Sequence, residues 1–122
     1  MNNYQDFTTG DAFAGLGDFV NELHADNMQY IPIIDAGLAV RKNYTAYQEG
    51  LEQNLFIKSP KGDPFVGQVW PDDAVYPDFF NPNTTEWWGK WLTNFHNNVS
   101  FDGVWEDMNE ASNFCSGPCY QN

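Results

Sequence analysis

Three acidic residues stand directly behind a short apolar run near the end of the sequence. The stretch FDGVWEDMNEASNF places Glu106, Asp107 and Glu110 within five residues. A fourth acid, Asp35, ends another apolar run, YIPII. Carboxylates in such positions can serve as a nucleophile, a general acid or a general base. The competing interpretations are a turn or N-cap residue for Asp35 and a solvated surface position for Asp107.

The two apolar runs predict the strands that would position these acids. Residues 29–34 are almost continuously apolar and rich in β-branched side chains, and residues 101–105 form a second short run. Such runs are typical of strands that are covered on both faces. In parallel α/β barrels the active site lies at the carboxyl ends of the strands, where side chains from several strands converge. Asp35 and Asp107 therefore form a candidate site.

Two amphipathic helices are predicted around these strands. Residues 16–27 and residues 84–98 both place apolar side chains at helical spacing. Asn83 is the expected N-cap of the second helix, with Glu86 as its capping-box acid, although Thr84 would serve nearly as well. The apolar stripes consist of Leu16, Phe19, Val20 and Leu23 in the first helix and of Trp88, Trp91, Leu92 and Phe95 in the second.

The periodicity is lost between these elements, over residues 38–80. A connection of this length in a compact domain is usually functional. Within it, residues 55–58 and 65–70 are predicted as short strands that flank the turn KSPKGDP. The order of helix, strand, folded excursion, helix and strand indicates βα units with a parallel sheet. Two strands cannot form such a sheet by themselves, so we expect these units to belong to a larger one.

The overall charge excludes several classes of partner. The 122 residues contain 17 acids and 5 Lys or Arg, for a formal charge of −12. This balance repels phosphate backbones and anionic membrane surfaces, so neither nucleic acid nor a membrane is an expected partner. The sequence contains no run of about 18 apolar residues, the length that would be needed to span a bilayer. The 17% aromatic content predicts a packed, folded region.

The cysteines and three sequons indicate the compartment. Cys115 and Cys119 are the only cysteines. They make a poor zinc site, since a closed structural site needs four ligands, and a short-range disulfide is the more natural interpretation. Asn43, Asn83 and Asn98 each begin an Asn-x-Ser/Thr sequon. Together these features favour a secreted protein, or one in the lumen of the lysosome or another endomembrane compartment.

The residues around Asp107 resemble a family signature. GVWEDMNEASNF is similar to the WxDMNE motif of glycoside hydrolase family 31, the family of α-glucosidases and their relatives. Five further stretches resemble the family in the same order along the chain: NYQDFT, FVNELH, YIPIIDAG, the KxxxGxxFxGxVWP pattern that ends at Pro71, and YPDFFNPNTTEWW. Each stretch alone is weak, but six in the right order are specific.

The resemblance implies an α/β fold. Residues 1–122 would be part of a catalytic (β/α)8 TIM barrel, roughly its second to fourth βα units. Residues 38–80 would be a subdomain inserted after the third strand. Met1 would then lie inside a longer protein, just past the second strand, which agrees with the absence of a signal-peptide pattern at the start of the sequence.

The resemblance also implies roles for single residues. Asp107 matches the catalytic nucleophile. Glu110 is expected to orient the motif, because the family's acid/base aspartate comes from a later strand, beyond Asn122. The expected substrate contacts are Trp70, Trp105, Met108, Ile33 and Asp35. Trp87 and Trp88 are predicted to pack in the core rather than on a sugar, and His24 and His96 are predicted to be structural or exposed.

The implied reaction is retaining hydrolysis of terminal α-linked glucose from malto-oligosaccharides or disaccharides, through a covalent glycosyl-enzyme and without a cofactor or metal. This chain alone is expected to be inactive. An α-xylosidase, an α-glucan lyase and a non-catalytic carbohydrate-binding relative are the alternatives. Two residues depart from the family pattern, Glu106 at a usually apolar position and Ala111 in place of a frequent proline. Glu106 would raise the pKa of Asp107 unless its side chain points away.

Overall fold

Two small sheets and three α-helices make up residues 1–119, the part of the chain that the computed structural model describes. The helices are α1 Leu16–Ala25, α2 Thr45–Glu52 and α3 Pro82–Asn98, and a short 3-10 helix, Asp11–Phe13, precedes α1. The strands are β1 Ile33–Asp35, β2 Leu38–Ala39, β3 Val66–Val69, β4 Asp72–Val75 and β5 Trp105–Asp107. One apolar core joins helices and strands, with Val20, Ile34, Leu38, Leu55, Trp87 and Phe95 among its members.

The first sheet is the parallel pair of β1 and β5, and it confirms the predicted parallel arrangement. Both strands begin later than predicted. Residues 29–32 and 101–104 run beside each other with scattered hydrogen bonds, such as the one from Asp102 N–H to Tyr30 O at 2.9 Å, and Pro32 has no N–H to donate to a regular ladder. Asp35 and Asp107 therefore lie within the strands as their last residues, and not just after them.

The second sheet is antiparallel, with the strand order β2, β4, β3. The prediction of a strand at residues 65–70 is confirmed by β3, but its predicted partner was wrong. β3 pairs with β4, whereas residues 55–58 make only isolated bridges, from Phe56 to Pro77 and from Lys58 to Pro64. Because a proline cannot donate to a ladder, pairing at those two positions does not extend into a strand.

The helix α2 lies in the segment where the sequence pattern showed no periodicity. Gly50 is buried in its interior, and glycine there lowers helix propensity. The structure gives the reason for the glycine: a Cβ on Gly50 would collide with the ring of Phe56. The close approach of Phe56 therefore requires glycine at position 50, and this glycine weakens the helical pattern in the sequence.

Helix α3 begins two residues earlier than an N-cap at Asn83 would place it. The prediction of Asn83 or Thr84 as N-cap is wrong: Asn81 is the cap, and its side chain accepts a hydrogen bond from Asn83 N–H at 3.1 Å. Pro82 occupies the first turn, where its fixed φ suits a helix and its missing N–H costs nothing. Trp87 is only 2% exposed, and Trp88 packs against the same core, so both belong to the core as predicted.

The polar Asp26 and Asn27 are predicted to stop the first helix, and α1 does end at Ala25, directly before them. Asn27 has a left-handed backbone with a φ of 57°, which asparagine tolerates better than most residues and which stops a helix. Val20 is completely buried, but Phe19, predicted on the apolar stripe, is 52% exposed. The buried side of α1 is therefore narrower than the sequence pattern indicated.

Replacing Gly50 by Ala is expected to destabilise the fold by about 1–3 kcal/mol, because the new methyl group overpacks the contact with Phe56. Gly89→Ala is the matched control, since Gly89 is also inside a helix and a Cβ there would have no neighbour within 4 Å. The control is expected to stabilise by roughly 0.5–1 kcal/mol through helix propensity. Urea unfolding followed by circular dichroism measures both, and equal effects would contradict the packing argument.

Candidate active site

Four side chains share one face of the β1–β5 pair: Ile33, Asp35, Trp105 and Asp107, here called the carboxylate face. Side chains alternate between the two faces of a strand, so residues two apart lie on the same side. The parallel register places Ile33 beside Trp105 and Asp35 beside Asp107. Neighbouring strands lie about 4.8 Å apart. The fold thus brings together two acids from distant parts of the chain.

Asp35 is the buried member of this pair. It is 8% exposed, and burial raises the pKa of its carboxyl above the ordinary value, with the negative charge of Asp107 adding to the rise. Its Oδ1 has no hydrogen-bond partner among residues 1–119. Asp35 therefore holds a proton more readily than a free aspartate does, first because it is buried and second because Asp107 lies beside it.

Asp107 is oriented by its own loop. Its Oδ1 accepts a hydrogen bond from Met108 N–H at 3.0 Å, and Met108 has a left-handed backbone with a φ of 58°. Two kinds of donor lie near Asp107 in the sequence, the side-chain amide of Asn109 and the backbone N–H groups of the motif. The backbone amide is that of Met108, while Asn109 donates its side-chain amide to Glu106 at 3.2 Å.

Glu106 points to the other face of the sheet. It lies opposite Ile34 in the parallel register and lines a groove of about 640 Å³ together with Ile34, Trp88, Leu92 and Val104. This groove lies on the helix side of β5. Glu106 therefore does not share the carboxylate face with Asp107. Its side chain points away from Asp107, although it occupies a position that is usually apolar in the family.

Glu110 makes its hydrogen bond inside the loop that follows β5. It is exposed and accepts a hydrogen bond from Ser112 Oγ at 2.6 Å, which lowers the pKa of Glu110. Ser112 in turn accepts a hydrogen bond at its backbone oxygen from the hydroxyl of Tyr76, at 2.9 Å. Through Ser112, Glu110 is connected to the segment that follows β4.

Trp70 stands at the turn between β3 and β4. It is 58% exposed, and the edge of its ring system meets Phe114 with 5.3 Å between the ring centroids. Beside it, Arg41 donates from Nη2 to the backbone oxygen of Pro71 at 2.7 Å. The exposed indole of Trp70 is thus held against the loop that carries the acidic motif.

The segment after the motif is anchored on the edge of β3. Phe114 N–H donates to Gln68 O at 2.8 Å, and Cys119 N–H donates to Val66 O at 3.0 Å. Cys115 and Cys119 form the predicted disulfide. The antiparallel sheet therefore positions the segment that follows Asp107 in the chain.

Asn113 is a contact residue that sequence reasoning missed. Its Oδ1 accepts hydrogen bonds from Gln68 N–H at 2.9 Å and from Cys115 N–H at 3.3 Å, and its Nδ2 donates to Gly117 O at 2.9 Å. Its place in the motif's closing letters, SNF, was the available signal. The amide links β3 to the disulfide loop from a single side chain.

Asp6 is the second residue that sequence reasoning left without a role. It is 1% exposed, and its Oδ1 accepts a hydrogen bond from Asp35 N–H at 3.2 Å. The signal lay in NYQDFT, one of the stretches that resemble the family, but a lone acid in a polar, aperiodic segment indicates no partner. Only the fold places Asp6 beside the backbone of Asp35.

The remaining predicted residues lie away from this face. His24 pairs through Nε2 with Asp102 Oδ2 at 2.9 Å, near the start of the apolar run that leads into β5. Asn43, Asn83 and Asn98 are all exposed, as glycan attachment would require, and their glycosylation stays a prediction. Within residues 1–119, no three His, Cys, Asp or Glu side chains form a group that could hold a metal ion.

Comparison with known proteins gives the family. Residues 1–122 match the sequence model of the Glycosyl hydrolases family 31 TIM-barrel domain. The chain belongs to glycoside hydrolase family 31. This family 31 chain is 43% identical over 122 residues to Alpha-xylosidase 1 of Arabidopsis thaliana, covering 98% of the chain and 13% of that protein. It is also 43% identical over 121 residues to Lysosomal alpha-glucosidase of Mus musculus, covering 96% and 13%.

A solved structure agrees. The crystal structure of the glucosidase II alpha subunit in its DNJ-bound form matches with a TM-score of 0.85 and 27% sequence identity. The match covers 96% of this chain and 13% of the glucosidase II chain. The predicted class is therefore confirmed as part of a family 31 TIM-barrel domain. The chain spans about 13% of the length of these relatives. None of the helices within residues 1–119 is long and apolar enough to cross a membrane.

Replacing Asn113 by Leu is expected to loosen the anchored segment of this family 31 chain. The change preserves the branched shape of the side chain but leaves Gln68 N–H without its acceptor, at a cost of about 1–3 kcal/mol. Amide hydrogen exchange is expected to speed up at Gln68, Phe114 and Cys115. Asn97→Leu, the same change at an exposed position of α3, is the control. If both variants exchange alike at these amides, Asn113 is not the link.

Proposed function

We propose that this chain supplies the nucleophile of a retaining α-glycosidase of the α-glucosidase type. The single observation that carries the proposal is the parallel register of Asp35 and Asp107 on the carboxylate face. A barrel active site is built at this edge of the sheet, and family membership adds the reaction class. The proposed substrates are malto-oligosaccharides or disaccharides with a terminal α-linked glucose.

In the proposed first step, a carboxylate oxygen of Asp107 attacks the anomeric carbon while the bond to the leaving oxygen breaks. A retaining glycosidase needs a second, protonated carboxyl about 5 Å from the first, which gives its proton to the leaving oxygen. Asp107 then carries the sugar as a covalent ester, and water releases it in a second step with the proton returned to the acid. The resemblance implies that the acid/base aspartate lies beyond Asn122.

Neighbouring residues would each take a part in this step. The Met108 N–H, 3.0 Å from Asp107 Oδ1, holds the carboxylate in one orientation for attack. Trp105 and Trp70 are both more than half exposed and offer flat faces on which the CH groups of a pyranose can pack. Ile33 and Asp35 complete the proposed sugar-facing surface, and Glu110 would steady the motif loop through Ser112.

The substrate class is the finer part of the proposal. The same 43% identity relates the chain to a lysosomal alpha-glucosidase and to an alpha-xylosidase, so α-xylosides are the second candidate substrate. Glucose stays the first candidate, and the SNFCSGPC stretch resembles secreted or lysosomal maltase-type members more than the processing glucosidase of the endoplasmic reticulum. The disulfide and the three exposed sequons favour a secretory or lysosomal lumen as the compartment.

The nucleophile is tested by Asp107→Asn in the complete protein that carries this chain. Turnover of 4-nitrophenyl α-glucoside is expected to fall by at least about 10³-fold, as for other lost nucleophiles. Glu106→Gln is the matched control, since it removes the adjacent charge from the opposite face, and it is expected to leave kcat near wild type. Unaltered turnover in the Asp107 variant would contradict the catalytic assignment and favour a carbohydrate-binding protein without chemistry.

The stereochemistry and the sugar are tested together on the wild-type protein. The first product seen by NMR is expected to be the α-anomer, because two displacements at one carbon restore its configuration. Hydrolysis of 4-nitrophenyl α-glucoside is expected to exceed that of the matching α-xyloside. A β-anomer would exclude the covalent route, a preference for the xyloside would select the second candidate, and an unsaturated product would indicate a lyase.

A further inference from the structure

Asp6 is the most deeply buried acid of the described chain that the proposed reaction does not use. It is 1% exposed, whereas Asp35, the next most buried acid, is 8% exposed. Its Oδ2 has no hydrogen-bond partner among residues 1–119. An ionised carboxylate in such a place would need a cation or several donors to offset its loss of hydration.

The groups that surround Asp6 do not supply that compensation. From β1, Asp35 presents a like charge and one backbone N–H, at 3.2 Å from Asp6 Oδ1. From the start of α2, the Tyr44 hydroxyl donates to the backbone oxygen of Asp6 at 3.1 Å and not to its carboxyl.

We infer that Asp6 is a positioning residue that acts as a neutral carboxylic acid, fixing the Asp35 backbone so that Asp35 stands level with Asp107. The inference rests on the proposed function, because it assigns Asp6 to the support of that nucleophile. The contact is made at the Asp35 backbone N–H, the same residue whose side chain lies beside Asp107 in the parallel register. A shift at this point would move both carboxylates relative to a bound sugar.

Neutrality matters because Asp6, Asp35 and Asp107 form a series in which each acid feels the next. Burial raises the pKa of Asp6 to about 8, and the charge of Asp35 contributes to the rise. The pKa of Asp35 is raised in turn by burial and by Asp107. A proton on Asp6 removes one negative charge from the buried end of the series while leaving Oδ1 free to accept the Asp35 N–H.

Two substitutions separate the proton from the hydrogen bond. Asp6→Asn keeps a neutral side chain with an acceptor oxygen, and Asp6→Leu keeps the branched shape and the number of side-chain heavy atoms without the acceptor. In the complete protein, Asp6→Asn is expected to leave kcat/KM and its pH profile unchanged. Asp6→Leu is expected to lower kcat by about 10- to 100-fold with a smaller change in KM, because a misplaced catalytic group loses rate rather than affinity.

A second measurement does not depend on turnover. Unfolded Asp6 releases its proton near 3.8, the ordinary value, whereas folded Asp6 keeps it until about pH 8. The unfolded state therefore binds fewer protons between these values, and wild-type stability falls as the pH rises through that window. Asp6→Asn lacks this contribution. The melting temperature of the variant minus that of wild type is therefore expected to increase between about pH 4.5 and pH 7.5, a window that lies between those two pKa values.

The outcomes are distinct. If Asp6→Asn loses as much activity as Asp6→Leu, or if its relative melting temperature does not rise with pH, Asp6 is charged in the fold and the inference is overturned. Faster hydrogen exchange at the Asp35 amide in Asp6→Leu, but not in Asp6→Asn, supports it. If wild type hydrolyses no glycoside, the proposed function fails, while the melting and exchange measurements still decide the state and contact of Asp6.

Discussion

The parallel pairing of β1 with β5 is the constraint on which the rest of the site depends. In this register Asp35 and Asp107 are direct neighbours on one face, and Ile34 and Glu106 are direct neighbours on the other. A slip of one residue would turn one strand over relative to the other, so that Asp35 and Asp107 would lie on opposite faces. The core beneath β1 resists such a slip, because Ile34 is 4% exposed and packs with Val20, Trp87 and Phe95.

Two like charges side by side are unfavourable. The surroundings of the two aspartates differ on the two sides of the pair. On the buried side, burial and then the charge of Asp107 raise the pKa of Asp35, and Asp6 supplies an acceptor to the Asp35 backbone N–H. On the open side, Asp107 meets the N–H of Met108. The two carboxyls of the pair thus lie in different environments, one buried and the other held by a backbone N–H.

The antiparallel sheet inside residues 38–80 contributes structure to the site from outside the parallel pair. Its strand β3 holds the segment after Asp107 through the backbone of Gln68 and Val66 and through Asn113. The same sheet carries Trp70 to the side of Phe114. A connection that lacked periodicity in the sequence is thus an ordered support for the motif loop. Its assignment as an inserted subdomain stays a prediction.

The sequence by itself determined what chemistry could be done and where along the chain: the WEDMNE letters, the acid ending each apolar run and the close cysteines are local patterns that need no partner. Only the tertiary structure decided that Asn81 caps α3 and that β3 pairs with β4. It also decided that Glu106 faces away from Asp107 and that Asp6 lies beside the backbone of Asp35. These depend on register and on contacts between residues far apart in sequence, where propensity and periodicity carry no information about which segments meet.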